Sequence, residues 1–153
     1  MESAASAEKN CMSAKTFVDT NILIYAYDVD AEKKCLVAKE VLHELWMDRT
    51  GVLSTQVLQE FYVNVTRKIA KPLSKKLARA IIDSYTVWCI DTTPAEIATA
   101  FRNEDDARIS FWDALICAAA LKAGADRILS EDLNTGQKIA NVSIENPFAA
   151  SGR

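Results

Sequence analysis

Thr16-Phe17-Val18 is a short apolar, β-prone run that stops at Asp19, and it predicts a first strand. Residues 20–27 follow as a short helix. From Ala31 to Arg49, Leu36, Val37, Val41, Leu42, Leu45 and Trp46 recur at helical spacing until Gly51 breaks the pattern. Val52-Leu53-Ser54 predicts a second buried strand. Residues 55–70 predict a helix with Val57, Leu58, Phe61, Tyr62, Val65 and Ile69 on one broad face, ended by Pro72. Ser74 to Tyr85 is another helix, and Val87-Trp88-Cys89-Ile90 a third strand. Thr93-Pro94-Ala95-Glu96 is a helix start, with an N-cap, Pro at the first helical position and a capping box; that helix runs to about residue 105. Ser110 opens the next helix, and Gly124 stops it. Arg127-Ile128-Leu129-Ser130 is a fourth strand, and Val142-Ser143-Ile144 a fifth and last.

Short apolar strands alternating with helices imply an α/β fold: a parallel sheet of about five strands with helices on both faces. Right-handed crossovers bring all the carboxyl ends of such strands to one edge, where ligands bind. The chain of 153 residues fits one domain, and no linker or repeat divides it. We expect residues 1–12 to be a small-residue extension without structure, 13–149 to be the domain and 150–153 a tail. Met12, seven residues before Asp19, is a candidate alternative start.

Composition narrows the chemistry. His43 is the single histidine, which excludes multi-histidine zinc centres, and Met47 closes off an H-E-x-x-H reading of His43-Glu44. Four glycines cannot build a dinucleotide fingerprint or a phosphate loop. Cys11, Cys35, Cys89 and Cys117 form no C-x-x-C pair and read as free thiols, suited to a reducing cytoplasm. No run approaches the ~18 apolar residues of a membrane span, and the N-terminus lacks the basic and apolar regions of a signal peptide. A net charge of −3 names no partner.

Four acids stand in apolar company. Asp19 closes the first strand. Glu60 sits between Leu58 and Phe61 on the helix after the second. Asp113 interrupts the otherwise apolar Phe111 to Leu121, and Asp132 lies two residues beyond the fourth strand. Each also has a plain structural reading. Asp19 can cap the helix from Thr20, Asp113 can return to the Ser110 amide in a capping box, Glu60 can be a solvated edge and Asp132 a loop acid. Their convergence on one sheet edge is harder to explain that way. Two carboxylates about 5 Å apart repel by about 3 kcal/mol at an effective dielectric near 20. A divalent cation resolves that conflict, and all-oxygen ligation suits Mg²⁺ or Mn²⁺. Such a centre activates water and stabilises the charge on a phosphodiester under in-line attack.

Between Glu60 and Asp83 there is no acid, while Arg67, Lys68, Lys71, Lys75, Lys76 and Arg79 all fall there. They make either a solvated helical hairpin or a set of phosphate contacts. Trp46, Trp88 and Trp112 lie on apolar elements and are expected in the core rather than as base-stacking platforms.

Phe17-Val18-Asp19-Thr20-Asn21-Ile22-Leu23-Ile24-Tyr25 resembles the opening of PIN domains. Val57-Leu58-Gln59-Glu60-Phe61-Tyr62, Ser110-Phe111-Trp112-Asp113-Ala114-Leu115-Ile116 and Leu129-Ser130-Glu131-Asp132-Leu133 resemble their second, third and fourth acidic motifs. The likeness spans residues 14–148 and is nearest to single-domain toxins of the VapC type. It implies a three-layer α/β/α PIN-like fold and a Mg²⁺- or Mn²⁺-dependent endoribonuclease that cleaves RNA with metal-activated water. It implies Asp19, Glu60, Asp113 and Asp132 as the acidic, metal-holding site. Asn21 and Ser130 become orienting hydrogen-bond partners. A homodimer, a protein antitoxin and a cytoplasmic location are further implications, and a housekeeping RNA-processing nuclease is the alternative within the family. The rival from another class is a phosphoryl-accepting receiver domain. It calls for an acidic pair at the first strand and a lysine near the last, whereas Asp19 stands alone and no lysine directly follows the fourth strand.

Overall fold

The computed structural model describes residues 14–149; the expected extension at 1–12, Cys11 and the tail at 150–153 lie outside them. Six strands form one sheet: β1 (Lys15–Val18), β2 (Gly51–Ser54), β3 (Cys89–Ile90), β4 (Ala125–Leu129), β5 (Lys138–Ile139) and β6 (Val142–Glu145). Their order is β3-β2-β1-β4-β6-β5. Pairing is parallel from β3 through β6, and β5 alone runs antiparallel, against β6. The helices are α1 (Thr20–Ala26), α2 (Lys33–Asp48), α3 (Thr55–Arg67), α4 (Lys75–Tyr85), α5 (Pro94–Ala107) and α6 (Phe111–Lys122).

The expected α/β architecture is present, with a sixth strand added. The fourth strand starts two residues earlier than its apolar pattern suggests. Val87 and Trp88 fall in a 3-10 turn rather than in β3. The core joins both sheet faces: Phe17, Val18, Leu53, Ile128 and Ile144 pack against Ile22, Leu23, Val57, Phe61 and Val65, all buried. The Thr93–Glu96 capping box forms, with the Thr93 amide donating to Glu96 Oε1 at 2.8 Å.

Strand order locates the functional edge. From β1 the chain steps to β2 and β3 on one side, then returns through α5 and α6 to β4 on the other. The carboxyl ends of β1 and β4 therefore flank the switch point, where crossovers diverge and leave a crevice. Those ends carry Asp19 and Ser130, and the Asp19 amide donates to the Leu129 carbonyl at 3.0 Å. Among the described residues no helix is long and apolar enough to cross a membrane.

Candidate active site

Asp19 performs both of the roles its position allows. Its Oδ1 accepts from the Thr20 amide at 2.7 Å and caps α1. Its Oδ2 accepts from Ser130 Oγ at 2.7 Å. The side chain is 7% exposed. Burial pushes its pKa up from 3.8 to about 6, with a smaller push from the Glu60 and Asp113 charges, while the Ser130 and Thr20 bonds oppose the shift. A nearby cation would favour the charged form of such a carboxylate. Among the described residues the ion pairs are Lys34–Glu131, Lys71–Asp30, Lys122–Glu96 and Arg127–Glu145, and none involves Asp19, Glu60, Asp113 or Asp132.

Glu60 and Asp132 are joined to Asp19 through short polar links, and Asp113 acts on it through its charge. Thr20 Oγ1 donates to Glu60 Oε1 at 3.0 Å, so one residue ties Asp19 by its amide and Glu60 by its hydroxyl. Asn21 Nδ2 donates to Asp132 Oδ2 at 2.9 Å, while its Oδ1 accepts from the Glu131 amide at 3.3 Å. Ser130 Oγ also accepts from the Asp132 and Leu133 amides at 3.2 and 3.3 Å, which folds the loop after β4 over Asp19. Asp113 lies in the first turn of α6, whose N-cap Ser110 accepts from the Asp113 amide at 3.1 Å. The Ser110 amide makes no bond to the Asp113 carboxylate, so the alternative reading as a capping box is only half-made. The Asp113 pKa is raised by burial, with the Ser110 hydroxyl opposing the shift and the Asp132 charge adding to it.

All four acids, with Asn21 and Ser130, thus lie around the switch point. Cys117, one turn along α6, is the buried thiol expected from sequence. Burial and the Asp113 and Asp19 charges push it up to about 12, so it stays protonated.

Among the described residues no three His, Cys, Asp or Glu side chains close on one point as a finished metal cage. The donor set nonetheless fits a hard cation. It is all oxygen, its members repel one another, and Mg²⁺ keeps several waters while using one or two carboxylates. A hollow of about 690 Å³ lies at the opposite, amino end of the strands around Lys15, Asp126 and Arg127, away from these acids.

Three features escape the sequence reading. Thr20 is the bridge between two acids, and its place directly after Asp19 in the first motif is the signal that pointed to it. A second is the clamp on the β4–β5 loop: Glu131 accepts from Tyr25 Oη at 2.6 Å and pairs with Lys34 at 2.5 Å. The third corrects an expectation. Trp88 is buried and Trp46 half-buried, but Trp112 is 62% exposed beside Asp113. The six basic residues Arg67, Lys68, Lys71, Lys75, Lys76 and Arg79 all lie exposed along the end of α3, the following loop and α4.

Comparison with known proteins agrees with this layout. A model of the PIN domain matches residues 16–140. No curated protein matches the chain. Among solved structures, a toxin–antitoxin complex from Klebsiella pneumoniae is 16% identical, with a TM-score of 0.63 over 87% of this chain and 98% of that one. VapBC2 from Rickettsia felis, bound to a DNA fragment from its promoter, is 20% identical, with a TM-score of 0.61 over 86% and 97%. VapC20 from Mycobacterium tuberculosis, a toxin that cleaves the sarcin–ricin loop, is 19% identical, with a TM-score of 0.58 over 84% and 99%. On the family match across most of its length, the chain belongs to the PIN-domain family.

Proposed function

We propose that this PIN-domain chain is a Mg²⁺- or Mn²⁺-dependent endoribonuclease and the toxin of a type II toxin–antitoxin pair. The observation that carries the reading is the meeting of Asp19, Glu60, Asp113 and Asp132 at the sheet's switch point, each tethered by a neutral donor or a helix turn. None of the four is neutralised by a lysine or arginine among the described residues. Toxins and toxin–antitoxin complexes of the same fold, matched over nearly their whole length, support the biological role. They also support a protein antitoxin as partner, and a homodimer is the family's expected assembly.

Asp19 and Asp113, with Glu60 and Asp132 around them, would hold the ion. When bound, it supplies Lewis-acid stabilisation of phosphoryl charge and makes water a stronger nucleophile at neutral pH. The chain's own part is positioning. Ser130 and Thr20 fix both oxygens of Asp19, Thr20 aims Glu60, and Asn21 aims Asp132. Preset carboxylates need no reorganisation during the reaction. Water attacks the scissile phosphorus in line and the 3′ oxygen leaves, giving 5′-phosphate and 3′-hydroxyl ends.

The test is cleavage of a panel of structured RNAs with Mg²⁺, with Mn²⁺ and with EDTA. Activity is expected with either metal and is expected to vanish with EDTA. Asp19→Asn and Asp113→Asn should abolish it while leaving the circular dichroism spectrum and melting cooperativity intact. Cleavage undiminished by EDTA, or full activity of Asp19→Asn, refutes the reading.

A further inference from the structure

The groove beside Glu60 has no part in the metal-site reading, and its walls carry groups suited to a nucleotide. It is open, about 390 Å³, and runs between α3 and the start of α6. One wall is the exposed indole of Trp112. Gln56, Gln59, Val63, Asn64 and Lys68 line the rest, and Glu60 belongs both to the groove and to the acidic site. A ligand lying in the groove therefore reaches the acids at Glu60.

We propose that this groove is a subsite for one unpaired nucleotide of the RNA, next to the scissile phosphate, with Trp112 as its stacking platform; the proposal rests on the nuclease reading above. The indole is braced rather than loose. Phe111 packs on it edge-to-face with ring centroids 5.2 Å apart, and Phe101 packs on Phe111 at 5.7 Å. A flat, preset aromatic face suits any base, because every base has a π-face. The remaining lining suits a base edge and a phosphate. Gln59 is an exposed amide, with donor and acceptor in one group. Asn64 spends its Nδ2 on the Glu60 carbonyl at 2.8 Å, which fixes the side chain and leaves its Oδ1 as an acceptor.

Gln56 anchors the groove wall to the platform. It is 7% exposed, its Nε2 donates to the Trp112 carbonyl at 3.4 Å, and its Oε1 has no hydrogen-bond partner. Gln56 thus ties the groove wall on α3 to the backbone of the proposed platform. Lys68 adds an ammonium group for backbone phosphate. Bases in a duplex present no free face for stacking on a side chain, so the subsite selects single-stranded or looped RNA.

The experiment has two arms on the full chain. In the first, cleavage of a single-stranded RNA under Mg²⁺ is compared for wild type, Trp112→Phe and Trp112→Ala. The expected result for Trp112→Ala is a KM raised about five- to a hundredfold, the range that base stacking spans, with kcat little changed and with most of the loss rescued by Trp112→Phe. In the second, tryptophan fluorescence is followed in the Asp113→Asn background while a short single-stranded oligoribonucleotide or the same sequence as a duplex is added. Saturable quenching by the single strand, weak quenching by the duplex, and loss of the signal in Trp112→Phe support the subsite. Cleaving enzyme with an unchanged KM in Trp112→Ala overturns the subsite and leaves the nuclease reading standing. Quenching without cleavage in any metal leaves the subsite standing and overturns the nuclease. A fall in molecular mass of Trp112→Ala in sedimentation, with quenching unaffected, makes the Phe101–Phe111–Trp112 surface a protein interface and overturns the proposal.

Discussion

Thr20 shows how a neutral side chain can set the geometry of charged ones. Its amide and hydroxyl hold Asp19 and Glu60 in one frame, and it is buried. Thr20→Val keeps the shape and the amide bond and removes the donor to Glu60. Changes of this kind around a metal ligand cost about 10–100-fold in metal affinity or activity. We expect that loss in a Mg²⁺ titration of cleavage, partly recovered at high Mg²⁺, with the melting temperature nearly unchanged. Glu96 is a second residue whose environment makes a measurable statement. The Lys122 ammonium, then the Thr93 hydroxyl and amide, hold its pKa down from 4.5 to about 2. The carboxylate form is favoured by folding, so its contribution is complete above pH 4.5 and is lost as pH falls towards 2. Glu96→Gln should therefore lower the melting temperature at neutral pH, and the gap to wild type should close as pH is lowered through that window. A gap constant with pH would contradict the assigned cause.

At the scale of elements, the close approach of β2 and the turn before β3 depends on one residue without a side chain. A Cβ on Gly51 would lie 2.6 Å from the Trp88 indole, which is itself wedged against Trp46 and Tyr85 at centroid distances of 4.6 and 5.1 Å. Overpacking of this sort costs about 1–3 kcal/mol. Gly51→Ala is expected to lose that much in urea denaturation, with an unchanged m-value. Sequence pattern did find Gly51 as a break, but not the ring that requires it, because the contact joins residues 37 positions apart. The same limit explains the other differences. The long amphipathic helices and the buried strands were legible because burial imposes a period. β5 is two residues long, lies at the sheet edge and has a single buried side chain, Ile139, too little for any period to show. In α6 the apolar run from Phe111 to Leu121 carries no moment to say which end protrudes, so Trp112 read as core. Asp19, Glu60 and Asp113, by contrast, were legible because each stood in an apolar context, whereas Asp132 was legible only from its place just after β4. Trp112, an apolar residue exposed, broke nothing.

For the whole molecule, strand order decides why four acids far apart in sequence can act together. Asp19 and Ser130 are 111 residues apart yet share a hydrogen bond because β1 and β4 are neighbours at the switch point. The same topology sends the α3–α4 hairpin away from the sheet with six exposed basic residues, while the acids concentrate at the crevice. Taken together, the charges form a pattern: negative where a cation would sit, positive along the hairpin that leaves it. A polyanion held on the basic hairpin and threaded past Glu60 would use both, and Lys68, on the hairpin and in the groove, joins the two regions. This account has a quantitative consequence. Each phosphate neutralised on a single strand contributes about 0.7 to the slope of log K against log salt. Replacing Lys71, Lys75 and Lys76 by Gln should weaken RNA binding at low salt and reduce that slope by about 2 if all three make contacts. Because none of the three is hydrogen-bonded or ion-paired to the four acids, kcat at saturating RNA should be retained. A triple variant with the wild-type slope would return the hairpin to an ordinary solvated surface. The acidic site and the Trp112 groove would then have to carry RNA recognition by themselves.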